Sequence, residues 1–325
     1  MPELSYLQAV VIGGLQGVTE LFPVSSLGHS VLVPALVGGS WSHLVTEGAA
    51  QDSEHSPYLA FIVALHVATA LALLVFYWRD WVRIVGAFVR TLRTRRIETS
   101  TERLAWLLVV ATIPVGITGL ALEHTFRVLF AKPLYAAVFL TINGLILLAG
   151  ERLRRRAELR GQLPTGAQPA AAAGGATAAT VGTRTTRTTR TTRTGTRARR
   201  LDSLAFREAA VIGLFQTTAL FAGISRSGVT MVAGLLRGLD HEDAARFAFL
   251  LATPVILAAG VLKLPALAGS AGTGIRGQVL VGAVAAAVAA YLSVRFLTRY
   301  FTTRTLTPFA VYCLVVGVAC IVRFA

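Results

Sequence analysis

Two polar turns interrupt apolar stretches of this sequence, and both carry side chains that could do chemistry. The first turn contains Glu20, Ser26 and His29, which can supply a carboxylate, a hydroxyl group and an imidazole. The second contains Arg226, whose planar guanidinium matches the oxygens of a phosphate group. Ionisable residues at membrane depth are energetically expensive and usually have a function. The two turns together therefore predict a site for a phosphate-bearing ligand.

The two turns belong to two copies of one sequence pattern. Residues 9–30 and 209–230 align without a gap. In each copy an apolar segment meets a polar, glycine-containing interruption and then resumes, which in a membrane protein predicts two half-helices facing a binding site. The recurring positions are Ala9 and Ala209, Val11 and Val211, Ile12 and Ile212, Gly13 and Gly213, Gln16 and Gln216, Ser25 and Ser225, and Gly28 and Gly228.

Gln16 and Glu20 predict a cation site in the first copy. They lie four residues apart, so on a helix both point toward the turn that follows. Their oxygen atoms suit a hard divalent cation such as Mg²⁺ or Ca²⁺, with water or phosphate in the remaining positions. Two alternative roles stay open for Glu20: its side chain could reach the membrane surface, or it could form an ion pair with an arginine that serves stability.

Ser25, Ser26, Gly28 and His29 form the start of the resumed helix in the first copy. Serine caps such a start, and free backbone N–H groups there bind anions. His29 lies about one helical turn from both serines, so it is placed to take a hydroxyl proton. A buried histidine bonded to a backbone carbonyl is the alternative. His66, within a later predicted helix, either lines the same cavity or is hydrogen-bonded in the core.

Hydroxyl groups flank the cation in the second copy. An arginine between two serines inside an apolar segment is hard to explain by packing, and the arrangement is typical of phosphate binding. An ion pair between Arg226 and Glu20 is the alternative, and it can coexist with ligand binding. The ligand-binding residues predicted in this copy are Ser225, Arg226, Ser227, Gly228 and Thr230.

The composition predicts an all-α polytopic membrane protein. Of the residues, 54% are hydrophobic and only 14% are charged. Several apolar runs exceed the roughly 18 residues that a transmembrane helix needs. A net charge of +15 would suggest nucleic acid in a soluble domain, but most of it lies in loops beside apolar segments. Orientation in the membrane explains that charge, and we expect no nucleic-acid partner.

Charge placement divides the chain into two halves of opposite orientation. No Lys or Arg precedes Arg79, so the positive-inside rule places that end outside the cytoplasm. Each half then contains one re-entrant helix hairpin plus three transmembrane helices, and an odd number of crossings makes the pair an inverted-topology repeat. The predicted elements are a first repeat at 1–156, with a hairpin at 5–38 and helices at about 58–78, 104–122 and 134–150, and a second at 201–325, with a hairpin at 206–238 and helices at about 244–263, 278–297 and 306–323.

Residues 157–200 separate the two repeats and differ from them in composition. An Ala/Gly/Pro stretch leads into a Thr-Arg repeat with few large apolar side chains. We expect a disordered, basic cytoplasmic linker, because such a segment cannot bury enough apolar surface to fold. Its arginines could contact anionic lipid head groups.

Two long motifs resemble the undecaprenyl-diphosphatase family, also known as bacitracin-resistance proteins. They are QGVTELFPVSSLGH at 16–29 and GISRSGVTMVAGLLRGLDHEDAARFAFLLATP at 223–254, and the similarity covers the chain except the linker. The resemblance implies hydrolysis of undecaprenyl diphosphate to undecaprenyl phosphate and inorganic phosphate, which recycles the lipid carrier for cell-wall synthesis. It also implies a divalent cation, a bacterial plasma-membrane location and a site open to the extracytoplasmic side.

The resemblance also implies roles for individual residues. Arg226 and a metal held by Glu20 and Gln16 would neutralise the diphosphate. Ser26 would attack the terminal phosphorus while His29 takes its proton, although direct attack by water with His29 as base is almost equally supported. Many family members have Glu at the position of Gln16, while Leu27 and Ala222 replace the usual threonine and proline without removing a reactive group. Ser25, Ser225 and Ser227 would position phosphate oxygens.

A transporter or flippase of a phosphorylated prenyl lipid is the alternative function. Inverted repeats with broken helices are transporter architecture, and nothing in the sequence excludes proton coupling through Glu20 or His29. The acid-phosphatase-like lipid phosphatases are set aside, because no histidine with a trailing aspartate follows Arg226 at suitable spacing. The sequence leaves open whether the chain forms a homodimer.

Overall fold

The computed structural model describes residues 4–42, 57–130, 132–162, 201–268 and 274–325, and within these ranges every regular element is a helix. Most of the predicted linker lies outside the described residues. Single turns of 3₁₀-helix lie at Leu201–Ser203 and Thr218–Leu220. The α-helices are α1 (Tyr6–Thr19), α2 (Ser26–Val37), α3 (Pro57–Phe76), α4 (Trp78–Thr94), α5 (Ser100–Phe130), α6 (Pro133–Gln162), α7 (Phe206–Thr217), α8 (Arg226–Leu236), α9 (His241–Ala268), α10 (Arg276–Tyr300) and α11 (Thr307–Phe324).

The helices include enough long apolar segments for a multi-pass membrane protein. In the described ranges five helices are long and apolar enough to span a membrane, or six if α3 and α4 together count as one broken span. The five are Ser100–Ala121, Pro133–Leu159, His241–Gly260, Arg276–Tyr300 and Thr307–Phe324. The predicted all-helical, polytopic membrane fold is confirmed.

Two helix pairs are too short to span a bilayer. The arms α1 and α2 have 14 and 12 residues, and the arms α7 and α8 have 12 and 11. At about 1.5 Å per residue, the longest arm covers about 21 Å of a hydrocarbon core of about 30 Å. A short connection joins the two arms of each pair, within the stretches where the sequence predicts a hairpin.

Helix α4 was not predicted as a helix. The sequence predicts a loop for the arginines after residue 78, whereas Trp78–Thr94 is helical and bends by 87° from the preceding helix. Its exposed large apolar side chains recur every three or four residues, so they form one stripe along the helix. The stripe comprises Trp78, Val82, Val85, Val89 and Leu92.

Helix α6 also extends further than the sequence predicts, to Gln162 rather than residue 150. Ion pairs between side chains one helical turn apart favour this extension. Arg154 contacts Glu158 at 2.7 Å, and Arg155 lies 3.5 Å from Glu151.

Each hairpin packs against the other half of the chain. Residues 4–162 are called the first half below, and residues 201–325 are called the second half. Helix α1 packs along α10, and α7 packs along α5. Gly13 and Gly213, equivalent in the two sequence copies, allow these approaches, because a side chain would overlap the carbonyl of Gly282 or of Ala111. The halves are also in contact where α6 packs on α11 and α8 and where α3 packs on α9 and α10.

Candidate active site

The first polar turn is built by the end of α1 and the start of α2. Glu20 follows the last residue of α1, and its backbone N–H donates to the carbonyl of Gln16 at 3.0 Å. Ser25 is the N-cap of α2, and its Oγ accepts from the N–H of Gly28 at 3.2 Å. Its φ of 73° lies in the left-handed region, which residues other than glycine rarely adopt. The turn therefore holds Ser25 in a strained conformation.

The second turn repeats the cap with a different backbone. Ser225 begins α8 and accepts from the N–H of Gly228, again at 3.2 Å, but its φ is −86°. The left-handed residue in this turn is Gly223, with a φ of 114°. A Cβ atom at Gly223 would lie 2.5 Å from the carbonyl oxygen of Ala136 on α6, so only glycine fits.

Hydrogen bonds tie the two turns together. The N–H of Gly223 donates to Ser25 Oγ at 3.2 Å. Asn143 on α6 has no exposed surface, and it contacts both turns. Its Nδ2 donates to the carbonyl of Pro23 at 3.0 Å, and its Oδ1 accepts from the N–H of Ser225 at 3.0 Å. These bonds fix the position of one turn relative to the other.

The Glu20 carboxylate is the centre of the polar cluster between the turns. Glu20 is 7% exposed, and its Oε1 accepts from the Arg226 guanidinium at 2.5 Å. Its Oε2 accepts from Ser26 Oγ at 2.5 Å and from Gln16 Nε2 at 3.0 Å. His66 Nε2 lies 3.4 Å from the same oxygen. Glu20, which the sequence predicts as a cation ligand, therefore contacts both the predicted nucleophile Ser26 and the predicted phosphate-binding Arg226.

Arg226 keeps donors that these contacts do not use. A second guanidinium nitrogen donates to the carbonyl of Ala252 on α9 at 3.0 Å. Arginine has five N–H donors, and the side chain lines the cavity described below. The ion pair with Glu20, weighed from the sequence as an alternative to ligand binding, is present and leaves part of the fork free for an anion.

His29 points away from Ser26. Its Nδ1 lies 2.7 Å from the carbonyl of Ser25, and its Nε2 lies 2.8 Å from the hydroxyl of Tyr312 on α11. With both ring nitrogens engaged, the hydrogen bond between Ser26 and His29 that the sequence predicts is not formed among the described residues. The arrangement is the alternative considered for this residue, a buried histidine bonded to a backbone carbonyl.

A cavity opens beside the Glu20 cluster. It has a volume of about 280 Å³ and is lined by both turns and by α3, α5 and α9. The lining contains polar residues that could take part in a reaction, and the other lining residues are apolar. The polar lining residues are Thr19, Glu20, Ser25, Ser26, His66, Gln216, Ser225 and Arg226, and the apolar ones include Val63, Val115, Val255, Ile256 and Ala259.

The structure brings part of the predicted site to the cavity. Glu20, Ser25, Ser26, Ser225 and Arg226 line it, and so does His66, which the sequence left undecided. The N–H groups of Gly28 and Gly228 already donate to the capping serines. These two glycines are among the predicted residues that do not line the cavity. Those residues are Gln16, Gly28, His29, Ser227, Gly228 and Thr230.

Sequence reasoning missed three polar residues near the site. Asn143 links the turns, Tyr312 holds His29, and Gln216 lines the cavity. Asn143 carried a usable signal, because an asparagine inside an apolar run must find hydrogen-bond partners in the membrane. Gln216 repeats Gln16, and that signal was visible in the alignment of the two copies.

The donor atoms beside Glu20 fit a hard cation. Gln16 Oε1 is buried and has no hydrogen-bond partner among the described residues, while the amide nitrogen of the same side chain donates to Glu20. An amide oxygen, a carboxylate and substrate phosphate oxygens are the ligands that Mg²⁺ accepts. No group of three or more His, Cys, Asp or Glu side chains with metal-binding geometry occurs in the described ranges. A cation here would therefore depend on the substrate for part of its coordination.

Comparison with known proteins identifies the family. The model of the bacitracin resistance protein BacA matches residues 9–319 of this chain. The chain belongs to the BacA family. An undecaprenyl-diphosphatase 2 of Frankia alni is 70% identical, with 100% of this chain and 99% of the relative covered. An undecaprenyl-diphosphatase of Mycolicibacterium paratuberculosis is 58% identical over 99% of this chain and 98% of its own. That of Granulibacter bethesdensis is 40% identical, over 97% and 95%.

The family match covers both halves of the chain and both turns. Membership in the BacA family confirms the resemblance drawn from the two motifs. It also joins the structural observations, because the two matched motifs supply Glu20, Ser26 and Arg226, the residues in contact at the cavity.

Proposed function

We propose that this chain is an integral membrane phosphatase that hydrolyses undecaprenyl diphosphate to undecaprenyl phosphate and inorganic phosphate, recycling the lipid carrier for cell-wall synthesis. The relatives from Frankia alni and Mycolicibacterium paratuberculosis are named undecaprenyl-diphosphatases, and each aligns with this chain over nearly its full length. The observation that carries the proposal is the contact of Glu20 with both Ser26 and Arg226 at one membrane-depth cavity.

The cavity offers polar residues to the diphosphate and apolar residues to the prenyl chain. Arg226 offers its free N–H groups to the phosphate oxygens, and the neighbouring caps Ser25 and Ser225 add hydroxyl oxygens at helix starts. The prenyl chain lies against the apolar wall formed by α3, α5 and α9. A diphosphate would otherwise be costly to bury, and a cationic side chain offsets that cost.

The reaction begins with attack of Ser26 Oγ on the terminal phosphorus. The bond from that phosphorus to the bridging oxygen breaks, and undecaprenyl phosphate leaves with the bond electrons. Ser26 Oγ donates a hydrogen bond to Glu20, so we assign acceptance of its proton to Glu20. Water then hydrolyses the phosphoserine and releases inorganic phosphate. His29, which binds the Ser25 carbonyl and Tyr312, is assigned to positioning the turn.

A divalent cation, Mg²⁺ or Ca²⁺, completes the proposed site. Glu20 and the free oxygen of Gln16 would hold it. When bound, such a cation stabilises the negative charge that develops on phosphate oxygens. Arg226 stabilises the same charge from the second turn.

We propose that the two halves form an inverted-topology repeat, with the active site open to the extracytoplasmic side and the linker in the cytoplasm. Equivalent glycines on α1 and α7 approach equivalent long helices of the opposite half, which supports a two-fold relation. The absence of Lys and Arg before Arg79 supports the orientation. Labelling of single cysteines from each side of the membrane tests it.

Phosphate release from undecaprenyl diphosphate by the detergent-purified protein tests the function. The assay is run with Mg²⁺, Ca²⁺ or EDTA, and wild type is compared with Glu20→Ala. We expect metal-dependent release that collapses in the variant. Absence of release from wild type with any metal would contradict the phosphatase and favour a lipid transporter.

Trapping the intermediate tests the nucleophile. Rapid quenching of the reaction with labelled terminal phosphate should yield a phosphorylated Ser26, identified by peptide mapping. Ser26→Ala supplies the matched control. Full turnover without any labelled protein at the earliest times would show direct attack by water.

A further inference from the structure

Gln216 is a buried amide that lines the cavity. It lies on α7 at the position that Gln16 occupies in the first copy, and it is 1% exposed. Neither its Nε2 nor its Oε1 has a hydrogen-bond partner in the described part of the chain. Its side chain shares the cavity with Arg226 and Ser26.

Comparison with the first copy shows what this amide lacks. Gln16 donates to the Glu20 carboxylate four residues later. The residue four positions after Gln216 is Leu220, which cannot accept a hydrogen bond. Burying an amide without a hydrogen bond destabilises a folded protein, and native structures rarely leave one unexplained. A ligand in the cavity would satisfy Gln216.

The position of Gln216 indicates which part of the ligand it meets. Gln216 lies three and four residues before Ala219 and Leu220, which also line the cavity, whereas Ser26 and Arg226 are held together by Glu20 in the reactive cluster. The terminal phosphorus must lie against Ser26 for attack. The other phosphate carries the prenyl chain and therefore lies toward apolar lining residues. This phosphate is the leaving group and takes the electrons of the broken bond. A hydrogen bond from the amide to one of its non-bridging oxygens forms in the bound substrate and persists in the transition state, so it contributes to binding rather than to the rate of the chemical step.

We propose that Gln216 binds the lipid-linked phosphate of the prenyl diphosphate, with Nε2 donating to a phosphate oxygen. The inference rests on the proposed function for its substrate. It makes Gln216 a determinant of affinity for any ligand that has a phosphate attached to a prenyl chain, including the monophosphate product.

Gln216→Met tests this role, because methionine keeps the size of the side chain and removes both polar atoms. We expect KM for undecaprenyl diphosphate to rise about tenfold and kcat to change by less than about twofold. The inhibition constant of undecaprenyl phosphate should rise in parallel with KM. Inhibition by inorganic phosphate should not change, because that product occupies the terminal position.

Thermal unfolding of the ligand-free protein separates binding from a structural role. Removing an unsatisfied buried amide should leave Tm unchanged or raise it. Gln8→Met is the matched control: Gln8 is a buried glutamine of α1 outside the cavity, and its Oε1 accepts from the N–H of Ser5 at 2.8 Å. This control should lower Tm and keep KM.

An unchanged KM and product inhibition constant in Gln216→Met would overturn the inference, and so would a lowered Tm with unchanged KM. Failure of the proposed function is recognised separately, as absence of phosphate release from wild type. In that case the rise in Tm caused by added undecaprenyl phosphate still decides the inference. The rise should be smaller in Gln216→Met than in wild type, and an equal rise would overturn it.

Discussion

The two polar turns share a scaffold and differ in chemistry. Ser25 and Ser225 cap their helices through N–H groups three residues later, at the same distance of 3.2 Å. Two of the nearby differences carry the chemistry: Glu20 aligns with Leu220, and Ser26 aligns with Arg226. Two identical turns would place like charges together at membrane depth, which is unfavourable. Divergence of the copies gives one cavity both a carboxylate and a cation.

The turns also differ in where the backbone is strained. In the second turn, glycine takes the left-handed conformation, at Gly223. In the first turn the left-handed residue is Ser25, which has a side chain, and such a conformation costs about 1–3 kcal/mol. The strain lies next to Ser26, the proposed nucleophile. Strained backbone is typical of functional sites. Of the two turns, it is the one with the proposed nucleophile that has a strained residue with a side chain.

Loss of the cation from the second turn should have the largest effect. Arg226→Ala removes the guanidinium that binds phosphate and leaves Glu20 without its ion-pair partner. We expect kcat/KM for phosphate release to fall by about 10³-fold. Arg246→Ala is the control, because Arg246 pairs with Asp80 at 2.9 Å on the surface and should keep normal turnover. Near-normal activity of Arg226→Ala would remove the arginine from the mechanism.

Within the first turn, the acid should matter more than the imidazole. Glu20→Gln leaves an amide that can accept the hydrogen bond of Ser26 but cannot take up its proton, so we expect kcat to fall by about a hundredfold or more. His29 does not line the cavity, and His29→Gln changes only its contacts to the Ser25 carbonyl and the Tyr312 hydroxyl, so we expect a loss of about tenfold. Steady-state kinetics of the two variants at one metal concentration make the comparison. Equal losses would return the role of base to His29.

Removing the hydrogen bonds by which Asn143 links the turns should lower the stability of the fold more than the rate of the reaction. Asn143→Ala leaves the carbonyl of Pro23 and the N–H of Ser225 buried without the partner that Asn143 supplies. We expect a loss of about 2–4 kcal/mol in the free energy of unfolding, visible as a lower Tm in detergent. Thr141→Ala is the control, because Thr141 lies on the same helix and its hydroxyl donates to a backbone carbonyl of that helix. Equal Tm values for the two variants would contradict the bridging role.

The smallest difference should come from the caps. Ser225→Ala removes the Oγ that accepts from the N–H of Gly228 and lies 3.0 Å from Ser227 Oγ. The Ser227 hydroxyl can still donate to the carbonyl of Phe22, so we expect a cost of about 1 kcal/mol. Ser25→Ala costs more, about 2 kcal/mol, because Ser25 Oγ accepts from both Gly28 and Gly223. Chemical unfolding measures both. A larger loss for Ser225→Ala would mean that the caps are not arranged as described.

The meeting of the two turns could be predicted from the sequence, because their residues repeat without a gap and are ionisable in apolar surroundings. The contact of Glu20 with Arg226 was predicted as one of two alternatives. The direction of the His29 ring could not be predicted, since it depends on Tyr312, far away along the chain. Helix α4 was missed because a run of arginines was interpreted as a loop, although Trp78 and Val82 begin an apolar stripe. Spacing alone does not fix contacts between distant segments.

The bonds between the hairpin tips restrict how this protein can move. A carrier that alternates its opening between the two membrane faces must slide or rock one half against the other. Here such a movement would break the contacts of Gly223 with Ser25 and of Ser225 with Asn143, together with the ion pair of Arg226 and Glu20. All of them are buried or partly buried, so breaking them in each cycle would be expensive. The contacts between the two turns therefore favour a reaction at a fixed site over a carrier that alternates its opening.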